Sequence, residues 1–61
     1  MDLQDVTDRD VGRGVVYRDH GTGKVEDGTL VSFNSVYLFV RYKGDTSTKA
    51  TRPEDVEWLG T

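Results

Sequence analysis

The chain has 61 residues, no cysteine and a formal net charge of −3, which excludes a disulfide framework and any thiolate metal site. A single domain of this length buries only roughly 60% of its unfolded surface, so its core must be thin; small domains of this kind often gain stability by forming oligomers. No apolar run approaches the roughly 20 residues of a membrane span and no signal-peptide pattern is present, so a cytoplasmic location with no membrane partner is expected.

Charge is unevenly placed. Residues 1–10 hold Asp2, Asp5, Asp8 and Asp10 against Arg9 alone, a net −3 that equals the charge of the whole chain. With Leu3 and Val6 as their only sizeable apolar side chains after Met1, these residues are expected to form an acidic, loosely ordered arm that docks at most Leu3 or Val6. The remaining residues, 11–61, are expected to form the folded domain.

Residues 11–18, VGRGVVYR, predict a first strand with Val15 and Tyr17 on one face, and Gly12 and Gly14 marking a bend or a close backbone approach. Residues 19–23, DHGTG, form a loop by composition. The lone histidine, His20, has only Asp19 and Asp27 nearby as candidate co-ligands and no nucleophile to activate, so neither metal binding nor general-base chemistry is expected of it. The GTGK run at 21–24 lacks the spacing of a phosphate loop, and Val25 stands where that motif needs a hydroxyl.

The chain is organised around residues 28–42, GTLVSFNSVYLFVRY. β-Branched and aromatic residues on either side of Asn34-Ser35 predict a hairpin. A two-residue turn would pair Phe33 with Val36; a three-residue turn would pair Phe33 with Tyr37 and gather Leu30, Leu38, Val40 and Tyr42 on one face. A slip of one residue exchanges the two faces. The second arrangement is preferred because it collects the aliphatic side chains. It leaves Val31, Phe33, Tyr37, Phe39 and Arg41 on the other face, an aromatic patch with a charged rim that is the candidate protein-binding surface.

Residues 44–47, GDTS, predict a turn, and residues 48–51 a short strand with Ala50 inward and Lys49 outward. Thr51-Arg52-Pro53-Glu54 has the form of a capping box with proline in the first turn, so a single 3-10 turn over residues 53–55 is expected. Residues 56–59, VEWL, close the chain as a fifth strand, with Val56 and Trp58 or Leu59 sealing the core. Between positions 41 and 52, Arg41, Lys43, Lys49 and Arg52 face Asp45 alone; these four cations are the candidate nucleic-acid-binding set.

The order of elements, carried by Val11-Gly12 with Val15 and Tyr17, by Glu26, Gly28, Leu30, Ser32 and Asn34 at alternate positions, by Tyr37-Leu38-Phe39-Val40-Arg41-Tyr42 and by Ala50-Thr51-Arg52-Pro53-Glu54-Asp55, resembles the small five-stranded SH3-like barrels. That group includes Tudor and KOW modules. The same pattern resembles small proteins of uncharacterised function encoded by bacteriophages and prophages, over about residues 11–59. The resemblance implies an all-β barrel with a 3-10 turn before its last strand, and a phage protein acting in the host cytoplasm. Tudor modules bind methylated side chains in aromatic cages; here Tyr17, Phe33, Tyr37 and Phe39 are the available rings, and three of them are placed on a flat strand face rather than converging.

Three functional classes follow. The favoured one is a non-enzymatic binding module that uses the aromatic face for a host or defence protein, or for a second copy of itself. The alternative is nucleic-acid binding through the four cations, with Tyr37 stacking on a base. An enzyme is not expected, since no nucleophile stands beside a base and no metal-ligand cluster is present; no cofactor and no small-molecule substrate is inferred.

Overall fold

The computed structural model describes residues 1–60, so the last residue of the expected domain, 61, lies outside the described residues. Two 3-10 turns, Leu3–Asp5 and Asp8–Asp10, precede β1 (Gly14–Arg18), β2 (Val25–Phe33), β3 (Leu38–Tyr42) and β4 (Lys49–Thr51); a third 3-10 turn, Pro53–Asp55, leads into β5 (Val56–Trp58). All five strands are antiparallel in one sheet of order β4-β3-β2-β1-β5. This is the small SH3-like barrel of the sequence reading, including its turn before the last strand. Among the described residues no helix is long and apolar enough to cross a membrane.

β2 curls the sheet. Its first half pairs with β1 and its second half with β3, and Gly28 stands opposite both Val15 and Tyr42. A side chain at Gly28 would run into its neighbours, since an ideal Cβ there lies 2.6 Å from Val40 Cγ1 and 3.1 Å from the Arg41 carbonyl. The absence of a side chain lets the strand bend tightly over β3. The β1–β2 loop is closed locally: Gly23 N–H donates to the Asp19 carbonyl at 2.7 Å and Asp19 N–H to the Lys24 carbonyl at 2.8 Å. The N–H groups of Gly21 and then Thr22 hold the Asp19 carboxyl below its ordinary pKa.

The hairpin turn corrects both expected registers. It spans residues 34–37, with Asn34 N–H donating to the Tyr37 carbonyl at 3.0 Å and the Asn34 side-chain oxygen accepting from the N–H groups of Val36 and Tyr37 at 2.8 and 2.7 Å. Next to the turn Phe33 faces Leu38 and Ser32 faces Phe39, whereas farther down Leu30 faces Val40, Thr29 faces Arg41 and Gly28 faces Tyr42. A bulge at Val31 joins the two registers. The lower ladder keeps the expected pairing of Leu30 with Val40, so Leu30, Leu38, Val40 and Tyr42 all point inward and are buried. Above the bulge Phe33 turns to the core side, opposite the expectation.

The core consists of Val6, Val15, Leu30, Leu38, Val40, Tyr42 and Val56, with Met1, Leu3, Tyr17, Phe33 and Trp58 packed against it. Val6 belongs to the arm expected to be loosely ordered. In the structure the arm is docked: Val6 is only 6% exposed, and the Met1 ammonium donates to the Pro53 carbonyl at 3.0 Å.

The expected facing of β4 is reversed. Lys49 and Thr51 share rows with the inward Val40 and Leu38, and Ala50 lies across from Phe39 on the outer side. Thr51 does not cap the following turn, whose N-cap is Arg52. Its hydroxyl is engaged by the core instead. Leu59, offered with Trp58 as a seal, is 49% exposed, and Val56 and Trp58 take that role.

Candidate functional site

The outer face of the sheet is built by the residues that alternate with the core. On β3, Phe39 and Arg41 point outward between Leu38, Val40 and Tyr42. Phe39 sits in a cross-strand row between Ser32 on β2 and Ala50 on β4. Both neighbours are small, so the ring is half-buried by its own strand environment and its remaining surface meets solvent. Val31, pushed out at the bulge, is 37% exposed, and in the adjoining turn Val36 and Tyr37 are 57% and 41% exposed.

Of the five residues assigned to the aromatic patch, the structure brings Val31, Phe39 and Arg41 together on the outer face. Tyr37 stands at their edge in the turn. Phe33 leaves the patch, packing against the core beside Leu3 of the arm. Val36, exposed next to Tyr37, was not assigned; as an isolated valine in a turn it gave no periodic signal.

The four cations do not form one surface. Arg41 and Lys43 lie on the outer side around a shallow hollow of about 280 Å³ that also includes Asp27, Thr29 and Asp45, and neither forms an ion pair among the described residues. Lys49 and Arg52 line a different cleft on the core side. Both are already paired, Lys49 Nζ with Asp45 at 3.5 Å, and Arg52 with Asp55 at 3.2 Å and more loosely with Glu54 at 3.9 Å.

That second cleft, about 310 Å³, opens at the mouth of the barrel between the ends of β1 and β3, the start of β2, the length of β4 and the 3-10 turn. Tyr17 meets Tyr42 edge to face, with ring centroids 5.9 Å apart. The Tyr42 hydroxyl lies 2.7 Å from Thr51 Oγ1, and Thr51 Oγ1 donates its one proton to the Lys49 carbonyl at 3.2 Å. Tyr42 is therefore the donor of the first bond. Burial pushes the Tyr42 phenol above its ordinary pKa, outweighing the Thr51 hydrogen bond.

The Asp55 carboxylate, with its side chain 8% exposed, takes Arg52 on one oxygen and His20 Nε2 on the other at 3.4 Å. His20, expected to be an idle loop residue, thus ties the β1–β2 loop to the turn before β5. No sequence signal joins positions so far apart. The cleft carries Glu26 and Asp55 against Lys49 and Arg52, a balance of charge that closes the barrel end without favouring a ligand of either sign.

Among the described residues, no group of three or more histidine, cysteine or carboxylate side chains is placed to hold a metal ion. Compared with protein-family models, curated proteins and solved structures, the chain matches none of them.

Proposed function

We propose that this chain is a small non-enzymatic binding module whose outer sheet face, centred on Phe39, contacts another protein. The observation that carries the reading is the placement of Phe39: a large aromatic on the middle strand of a three-strand row, flanked by the small Ser32 and Ala50 and only partly buried. Exposed Val31, Val36 and Tyr37 extend the apolar surface, and the unpaired Arg41 gives it a charged rim. An apolar centre with a polar rim is the usual anatomy of a protein contact, and large aromatics dominate the energetics of such contacts. The resemblance to phage-encoded barrels supports a partner in the host cytoplasm, including a host or defence protein.

The test is capture of partners from a bacterial lysate by tagged wild-type chain and by the Phe39→Ser variant, with circular dichroism as a control on folding. Phe39→Ser is expected to keep the barrel and lose the partner. A folded Phe39→Ser that captures the same protein would remove the outer face from consideration. One observation favours a second reading: Arg41 and Lys43 are unpaired on the same side, so a smaller basic surface could meet phosphates. Nucleic acid in the wild-type eluate, released by salt and absent with Arg41→Ala/Lys43→Ala, would move the assignment there.

A further inference from the structure

The docked arm makes one side of the molecule acidic. Residues 1–10 carry a charge of −3, equal to that of the whole chain, and they are fastened at both ends. Val6 belongs to the core, with Met1 and Leu3 packed against it. At the junction with the sheet, Arg13 N–H donates to the Asp10 carbonyl at 3.1 Å and the Arg13 guanidinium pairs with the Asp10 carboxylate at 2.9 Å. Charge that the sequence places in a tail is thus held against the barrel.

Where the arm passes β5, the two leave a groove of about 440 Å³ lined by Met1, Asp2, Asp5, Val56, Glu57 and Trp58. Met1, Val56 and Trp58 make its apolar floor. Its rim is acidic from both sides, with Asp2 and Asp5 on the arm and Glu57 on β5, all three exposed. These charges are weakly compensated. Asp2 and Asp5 form no ion pair among the described residues, and Glu57 has only Arg18 at 3.9 Å, with both side chains more than half exposed, a pairing worth little. The Met1 ammonium is turned to the Pro53 carbonyl at 3.0 Å.

An apolar floor between carboxylates is complementary to a cationic chain with an apolar side chain beside its charge. A metal ion fits less well, because among the described residues no three carboxylate or histidine side chains are placed to hold one; charges spread along a groove match cations spread along a segment. The molecule itself shows the contact in miniature. Arg13, just before β1, lies over the Trp58 ring with its Cζ 4.0 Å from the centroid while it pairs with Asp10 of the arm. A guanidinium on an aromatic face is a favourable arrangement, and the groove offers the same ring beside further arm carboxylates. We propose that this groove docks an extended basic segment of a partner protein, with arginine or lysine set against Asp2, Asp5 and Glu57 and an apolar side chain on Met1 and Trp58. The surface lies on the core side of the sheet, separate from the outer face around Phe39.

The probe is a short synthetic peptide of arginine, leucine and glycine, with a glutamate-for-arginine version as control, titrated into isotope-labelled wild type. The arginine peptide is expected to move the amides of Asp5, Val56 and Glu57 and the Trp58 indole, with affinity falling about fivefold or more as salt rises and screens the charges. The glutamate peptide should move none of them. Asp5→Asn/Glu57→Gln changes two exposed side chains without altering their shape; checked for folding by circular dichroism, it should bind about fivefold more weakly. Phe39→Ser should bind the peptide as wild type does. The groove would be overturned by an absence of shifts at millimolar peptide, by shifts centred on Phe39 or lost in Phe39→Ser, by shifts spread equally over Asp8 and Glu54, or by undiminished affinity in the folded Asp5→Asn/Glu57→Gln variant.

Discussion

Replacing Gly28 with alanine tests whether the bend in β2 depends on close packing over β3. The new Cβ would lie 2.6 Å from Val40 Cγ1, 3.1 Å from the Arg41 carbonyl and 3.1 Å from Tyr42 Cδ1. Carbon atoms prefer about 3.5–4.0 Å, so something must move by nearly an ångström. Val40 is fully buried and β-branched, with little freedom at χ1; the Arg41 carbonyl belongs to the ladder. Overpacking of this kind costs about 1–3 kcal/mol, offset by about 0.4–1 kcal/mol from the reduced freedom of the unfolded chain.

The net expectation is a loss of about 1–2 kcal/mol, or roughly 5–15 °C in Tm for a domain of this size. The control is Gly14→Ala. There the added carbon meets only Leu59, at 3.0 Å from Cδ2 and 3.3 Å from Cβ; the half-exposed Leu59 Cδ2 can turn aside and the Cβ contact needs a shift of only a few tenths of an ångström, so the change should stay below about 1 kcal/mol. Urea unfolding followed by the fluorescence of Trp58, the single tryptophan, measures both. A Gly28→Ala midpoint equal to or above those of wild type and Gly14→Ala, at an unchanged slope, would refute the packing argument.

The hydroxyl pair in the barrel mouth gives two further expectations. Thr51→Val strands the buried Tyr42 hydroxyl without its acceptor and should cost about 1–3 kcal/mol, whereas Tyr42→Phe leaves Thr51 bonded to the Lys49 carbonyl and should cost about 0.5–1.5 kcal/mol; chemical denaturation in which Tyr42→Phe proves the more damaging would reverse the donor assignment. The raised phenol pKa of Tyr42 makes stability fall with alkali. Above the ordinary phenol range of about 10 the unfolded chain releases this proton before the folded one, so the stabilisation present at neutral pH is lost as pH rises. Unfolding midpoints measured across that range should decline less steeply in Tyr42→Phe; parallel declines would count against burial as the cause.

Much of the scaffold was legible. Strands came from β-branched and aromatic runs, the 3-10 turn from Thr51-Arg52-Pro53-Glu54, and the inward set of Leu30, Leu38, Val40 and Tyr42 from the preference to group aliphatic side chains. What failed depended on partners distant in sequence. Thr51 looked like a helix cap because its local pattern is that of a cap, but Tyr42 offered its hydroxyl a buried partner and won. Val6 was expected at most to dock from a loose acidic arm, and its full burial in the core was not legible, since nothing local shows a core with room for it. Ala50 was placed inward and Lys49 outward by residue type, and the pairing of Thr51 with the buried Leu38 reverses both.

The bulge at Val31 is where the sequence reading and the surface part company, and it also sharpens the argument for Phe39. A regular hairpin would stand Phe33, Tyr37 and Phe39 on one face, where mutual stacking would account for all three. The bulge sends Phe33 inward to meet Leu38 and the arm, a use fully explained by the needs of a thin core. Tyr37 is explained in part by the turn, where its N–H and carbonyl close on Asn34. Phe39 has no such account. Cross-strand neighbours are the main source of stabilisation for a side chain on a sheet face, and here they are Ser32 and Ala50, too small to cover a phenyl ring. A chain shaped for stability alone would place larger side chains at those positions or a polar one at 39. Keeping the ring beside small neighbours leaves part of an apolar surface open on a strand paired along both edges, where a contact would order little backbone on binding.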